Sequence, residues 1–250
     1  MFIPAVFRGL LMKKQNFLLA MVLCCLSFPV YAETTADAEK NIRHTLQQLA
    51  PDETITRIRT TPFGNMYEVL LGPSVIYMSG DGRFILKGDL FDMQEHQNIS
   101  ENERALARRA IFASLSSNEY IEFSPEIREH IIYVFTDVDC GYCRKLHHDM
   151  PVLNKNGLAV RYLAYPRGGI DSTAYSKLEA VWCADDRQQA MTDAKNGKNV
   201  VSKQCSNPVA NEYELGQKFG VRGTPAIYKA NGEALSGYIP PDDLLDIVKN

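Results

Sequence analysis

The sequence predicts a two-domain α+β protein. Three features carry that prediction. Residues 36–86 place one amphipathic helix ahead of several short β-rich runs. Residues 100–117 are rich in Ala, Arg, Glu and Leu and contain no Gly or Pro, as a connecting helix requires. Residues 131–165 hold two continuous apolar runs separated by a helix-length segment, the pattern of a β-α-β unit whose strands are covered on both faces.

In chain order, the first 32 residues are set apart from the fold. Lys13 and Lys14 precede a 12-residue apolar run, 17–28, and Val30 and Ala32 supply small residues for cleavage after Ala32. The run makes a helix of about 18 Å, short of the ~30 Å hydrocarbon core, so a cleaved secretory signal is favoured over a membrane anchor. Met12 offers an alternative start. Cleavage removes Arg8, Lys13 and Lys14 and no acid, leaving 24 basic against 30 acidic residues. With no basic run and few arginines interleaved with aromatics, a nucleic-acid partner is excluded.

Residues 36–50 put Ile42, Leu46 and Leu49 at helical spacing, and Pro51 ends the run. Strands are expected at 55–59, 66–71 and 74–78, with the turn Gly80-Asp81-Gly82 returning into 83–86. A unit of about 65 residues is near the size at which a lone core is marginal, so burial against a second copy would add stability. Ser100 and Glu103 have capping-box spacing at the start of the connecting helix, which its modest apolar content leaves partly exposed between domains. The alternative is the first helix of the second domain. There, strands are expected at 131–135 and 158–165, mostly helix over 172–220, and a hairpin of 226–229 and 234–238 around Asn231-Gly232. A last helix opens on Pro240 and Pro241.

Four cysteines remain after cleavage: Cys140, Cys143, Cys183 and Cys205. Metal binding by Cys140, Cys143 and His147 lacks a fourth ligand, since no second closely spaced pair exists, and the His147-His148 pair reads as a solvated helix face. A Cys-x-x-Cys bridge closes too small a loop to add much stability, whereas Cys183 to Cys205 closes one worth about 3 kcal/mol. The latter is taken as the structural disulfide. Cys140 falls at a strand-to-helix turn, where the helix dipole and free N–H groups favour a thiolate, so Cys140 is the expected nucleophile and Cys143 the resolving thiol. Gly141 lets the chain turn and Tyr142 adds bulk beside it. Asp137 and Asp139 should raise the Cys140 pKa, with Arg144 and Lys145 as a partial offset. Gly223-Thr224-Pro225 precedes the strand AIYK, where a proline needs a reason. A cis Thr224-Pro225 bond or an ordinary trans proline at a strand edge would each serve, and the Cys-x-x-Cys upstream makes the combination specific.

The segments FTDVDCGYC, KLHHDM, VRYLAYPRGGIDS, VWCADD, FGVRGTPAIY and NGEALSGYIPP resemble the DsbC/DsbG family of periplasmic disulfide isomerases. VIYMSGDGRFILKGDLFDM resembles that family's dimerisation domain. The resemblance implies a homodimer in the periplasm: cystatin-like dimerisation domains (33–97), linker helices (98–124) and thioredoxin-like catalytic domains with a helical insertion (125–250) around a shared cleft. It implies catalysis by Cys140 and Cys143, with Gly141, Tyr142, Thr224 and cis Pro225 meeting substrate and a Cys183–Cys205 bond. It further implies misfolded disulfide-containing secreted proteins as substrates, a DsbD-type membrane reductase as electron donor, and no cofactor. Asp139 departs from the family pattern. The alternatives are a holdase-type chaperone, or a reductase of single oxidised cysteines, using the same cleft.

Overall fold

The structure is a computed structural model and describes residues 35–201, 203–235 and 237–249. The leader expected at 1–32 lies outside the described residues.

The N-terminal unit is one helix on one face of an antiparallel meander. Helix α1 (Thr35–Leu49) is followed by β1 (Ile55–Thr60), β2 (Met66–Leu71), β3 (Ser74–Ser79) and β4 (Ile85–Leu86), in that spatial order. Ala38, Ile42 and Leu46 of α1 pack on Val69, Ile76 and Met78. Leu70, Val75 and Tyr77 point to the opposite face, where Ala107 of the next helix meets them. Cover on both faces is why β2 and β3 are apolar almost throughout instead of alternating.

A two-stranded ribbon, β5 (Phe91–Asp92) and β6 (Gln97–Asn98), leads into α2 (Ile99–Ser114). Its cap is not the expected Ser100–Glu103 box. The Asn98 side chain accepts from Glu101 N at 2.9 Å. Ser100 is instead fully buried, its Oγ 2.5 Å from the Tyr77 hydroxyl and accepting from Leu90 N at 2.8 Å. Glu103 is drawn away by ion pairs to Arg57 and, at 2.8 Å, Arg59.

α2 is partly exposed, as expected, but its buried face is firmly held. Arg108 is buried, its Nε donating to the Gly232 carbonyl at 2.7 Å and its guanidinium 5.3 Å from the centre of the Tyr228 ring. Phe112 stacks on Tyr133 with centroids 4.0 Å apart. Gly232 makes this approach possible: it has φ +88, and a Cβ there would lie 1.9 Å from the Ala105 carbonyl oxygen. The helix stops at Ser114, and by Ile121 the chain is already in the second sheet.

That sheet has the order β10-β8-β9-β7, built from β7 (Ile121–Phe123), β8 (His130–Thr136), β9 (Leu158–Ala164) and β10 (Ala226–Lys229). β8 and β9 are parallel, as a β-α-β unit demands, while β7 and β10 run antiparallel to their neighbours. The crossover is α3 (Gly141–His148) and α4 (Met150–Lys155), separated at Asp149 with Pro151 in the first turn of α4. The helical region resolves into α5 (Thr173–Trp182), α6 (Arg187–Lys195) and α7 (Val209–Lys218), and α8 (Pro241–Lys249) closes the chain. The expected terminal hairpin turns at Asn231-Gly232: Lys229 N donates to the Glu233 carbonyl at 2.9 Å and Leu235 N to the Ile227 carbonyl at 2.8 Å, with an antiparallel bridge between Tyr228 and Ala234.

Candidate active site

β8 delivers the chain to a turn, 137–139, and α3 starts beyond it. Asp137 shapes that turn. Its carboxylate is buried, Oδ1 accepting from Asp139 N at 2.7 Å and Oδ2 from Arg167 N and Nε at 3.0 and 3.1 Å. Cys140 is the N-cap residue of α3 and Cys143 lies one turn in. Both thiols are free. Cys140 is less open than its position suggested, at 3% exposed against 0% for Cys143.

The antiparallel register of β10 on β8, with Ala226 opposite Phe135, brings Thr224-Pro225 beside the thiols. The peptide bond between them is cis. Cys140 Sγ donates to the Thr224 carbonyl at 3.1 Å. The Thr224 hydroxyl is buried with no hydrogen-bond partner among the described residues, and it is one of the groups that lower the Cys140 pKa.

The pair is electrostatically split. The Cys143 thiol donates to Cys140, and with the Thr224 hydroxyl, the Cys143 N–H and the Arg167 charge it lowers the Cys140 pKa to about 5, against the opposing effect of burial. Burial, and the hydrogen bond it gives to Cys140, push the Cys143 thiol up. Cys140 is therefore the sulphur that ionises the more readily, and Cys143 the one that keeps its proton the longer.

Asp139 is answered by more partners than the expected Arg144. Its carboxylate is held by Lys177 Nζ at 2.8 and 2.9 Å and by Arg144 at 3.3 Å, so its charge is answered on the surface, and Asp137 is likewise answered by Arg167. An exposed pair of this kind is worth little. Asp139→Asn is expected to move the Cys140 titration by less than about 0.3 of a pH unit, read from thiolate absorbance; a fall of a full unit would restore the original expectation.

Two further expectations change. His147 is not solvated: it is buried, with Nδ1 3.3 Å from the Tyr162 hydroxyl and Nε2 3.1 Å from Thr192 Oγ1, and burial followed by the Lys195 charge lowers its pKa to about 4. His147 falls on the inward face with Cys143, Leu146 and Met150, while His148 is exposed. Gly141 does not serve the turn either, for a Cβ there would meet nothing within 4 Å and its φ is not positive. Tyr142 stands outward, 64% exposed, with its ring stacked on Tyr238 at 6.0 Å. Tyr238 is anchored by its hydroxyl, which donates to Asp149 Oδ2 at 2.8 Å.

Sequence reasoning passed over Arg167, Tyr238 and Lys195. Arg167 and Tyr238 stand in the segments quoted for their resemblance but had no assigned task. Lys195 carried a fainter signal: four residues after Met191, it shares the buried face of α6. Away from the site, Cys183 and Cys205 form the expected disulfide, with Cα atoms 5.6 Å apart. Among the described residues no three His, Cys, Asp or Glu side chains gather as a metal would need.

Residues 33–101 match the disulfide bond isomerase protein N-terminal domain family, and residues 118–250 match the thioredoxin-like domain family. The chain is 34% identical over 235 residues to the thiol:disulfide interchange protein DsbC of Escherichia coli (strain K12), covering 94% of this chain and 95% of that one. It belongs to the DsbC family. DsbC of Haemophilus influenzae is 33% identical over 190 residues, covering 75% of this chain and 81% of the relative. A crystal structure of a disulfide interchange protein from Neisseria gonorrhoeae is 32% identical, covers 54% of this chain and 96% of that chain, and aligns with a TM-score of 0.49. As a DsbC-family member the chain is a thiol:disulfide oxidoreductase with a DsbC N-terminal domain and a thioredoxin-like domain.

Proposed function

We propose that the chain is a periplasmic disulfide isomerase in which Cys140 is the nucleophile and Cys143 the resolving thiol. Gly141, Tyr142, Thr224 and Pro225 form the surface that meets substrate. The observation that carries the assignment is geometric: Cys140 sits at the N-cap of α3 against the Thr224 carbonyl of the cis Thr224-Pro225 bond, with Cys143 one turn in and fully buried. The Cys140 thiolate attacks a non-native disulfide and forms a mixed disulfide. The freed substrate thiol attacks elsewhere in the substrate and returns Cys140 to the thiolate, with no net electron transfer. When the substrate stalls, Cys143 displaces it.

The Cys140 pKa is depressed, so the thiolate is present above about pH 5 and lost as pH falls through that value. The exchange rate should follow the same curve on the acid side. A resting state with both thiols reduced calls for a membrane reductase of the DsbD type in an oxidising compartment. The 33–97 unit serves as the dimerisation domain and α2 as the linker, while the catalytic domain starts ahead of the expected 125, because β7 at 121–123 pairs with β9. Dimerisation is supported by the apolar side chains left open around β4 and β5, among them Phe84, Leu86, Phe91 and Met93.

The deciding experiment is reactivation of a scrambled multi-disulfide protein by catalytic amounts of the reduced chain, with dimer state checked by sizing. Recovery above the buffer rate, lost in Cys140→Ser, supports the isomerase. Suppression of aggregation without reactivation, equal in wild type and Cys140→Ser, supports a holdase instead.

A further inference from the structure

Lys195 ends α6 inside the protein, 3% exposed. Its ammonium donates to Thr136 Oγ1 at 2.5 Å and to the Asp137 carbonyl at 3.0 Å. Neither acceptor is charged. A buried ammonium held by neutral groups is costly to keep, and burial lowers its pKa to about 8. A methionine or leucine would fill the same space without that cost.

The placement supplies a reason. Thr136 and Asp137 are the end of β8 and the start of the turn that carries Cys140. The groups around the ammonium are Thr136 and Asp137 from that segment, Cys140 at the N-cap of α3, Cys143, Arg144 and His147 within α3, and the Tyr162 ring of β9 at 5.4 Å. Arg144 is a like charge and His147 is neutral, so the acidic groups on this side are the Asp137 carboxylate and the thiols. Arg167 already answers the carboxylate and lies toward Cys140. Lys195 is left to serve Cys143, where its charge is the largest influence pulling the thiol pKa down.

We propose that Lys195 is a positioning residue for the escape step, its ammonium stabilising the Cys143 thiolate once Cys140 is bonded to substrate. This rests on the isomerase reading above. In the resting enzyme Cys143 keeps its proton and donates it to the Cys140 thiolate. In the mixed disulfide that anion is gone, and Cys143 must ionise in a buried site. Its proton then leaves to solvent, and its sulphur bonds to the Cys140 sulphur. The bond between Cys140 and the substrate sulphur breaks, and the substrate departs as a thiolate that takes a proton from solvent. Two electrons pass from the cysteine pair to the substrate. Lys195 thereby sets how often the enzyme escapes rather than waiting for the substrate to rearrange.

An aromatic disulfide that releases a coloured thiolate reads both steps in a stopped-flow trace, one equivalent on Cys140 attack and a second when Cys143 displaces the mixed disulfide. In Lys195→Met the second release is expected to slow about tenfold, with its pH midpoint displaced upward, while the first changes less than about twofold and so reports an intact fold. Lys195→Arg retains the second release. The proposal is overturned if Lys195→Met releases the second equivalent at the wild-type rate and midpoint, if both releases slow alike, or if Lys195→Arg is as slow as Lys195→Met. Should Lys195→Met fail to fold, Lys195→Gln, which keeps a donor to Thr136 and the Asp137 carbonyl without the charge, decides: a second release at the wild-type rate and midpoint overturns the proposal. A wild type giving no first release sinks the isomerase reading and this inference together, whereas a normal first release with an unaffected second sinks this inference alone.

Discussion

Cys140→Ser is expected to abolish disulfide exchange, by on the order of a thousandfold or more, while leaving the fold in place. The hydroxyl fits the N-cap of α3 at least as well as the thiol did, since serine is a favoured cap. What is lost is ionisation. Each feature that lowers the Cys140 pKa, the Cys143 donor, the Thr224 hydroxyl, the Cys143 N–H and the Arg167 charge, acts by stabilising an anion that serine does not form near neutral pH. Cys143→Ser is expected to behave differently. It removes the resolving thiol, so it should trap substrate as a stable mixed disulfide on Cys140. The two variants are told apart by non-reducing gels of enzyme mixed with an oxidised substrate. Trapped species in Cys140→Ser, or none in Cys143→Ser, would contradict the assignment of roles.

The second large effect concerns stability. Cys183 caps the C-terminus of α5, and Cys205 lies in the irregular stretch between α6 and α7. Their bond closes a loop across a sequence separation of 22 residues. Removing that cross-link in Cys183→Ala/Cys205→Ala frees the unfolded chain and is expected to cost about 3 kcal/mol. The measurement is a denaturant midpoint with Cys140 and Cys143 alkylated in both proteins, so that the catalytic pair contributes equally. A midpoint unchanged by the double substitution would mean that the helices hold that stretch without the bond.

Much of this molecule is legible in the sequence because its strongest signals are local. The runs 131–135 and 158–165 read as doubly covered strands, and β8 and β9 are parallel neighbours with α3 and α5 to α7 packed around them. The cysteine pair reads as a strand-to-helix turn because a turn, a short spacing and a helix lie within a dozen residues. Apart from Gly141, the misreadings come from partners distant in the chain. Glu103 has the spacing of a capping box, but Arg57 and Arg59 of β1 claim its carboxylate. His147 looks solvated beside His148, yet Tyr162 and Thr192 enclose it. Asp139 looks like a charge against the thiolate until Lys177, 38 residues on, is seen to hold it. Lys195 reads as a polar helix end, and only the tertiary fold places its ammonium beneath the turn at Thr136 and Asp137. A periodic pattern states which face a residue occupies; it does not name the group that will meet it there.

The central claim is that the turn after β8 makes Cys140 an anion at neutral pH while Cys143 holds its proton. The rate of alkylation of the reduced chain as a function of pH, with the modified residue identified by mass, tests it directly. The predicted curve has its midpoint near pH 5 and labels Cys140 alone. A midpoint near the ordinary thiol value of about 8.5, or equal labelling of Cys140 and Cys143, would contradict it.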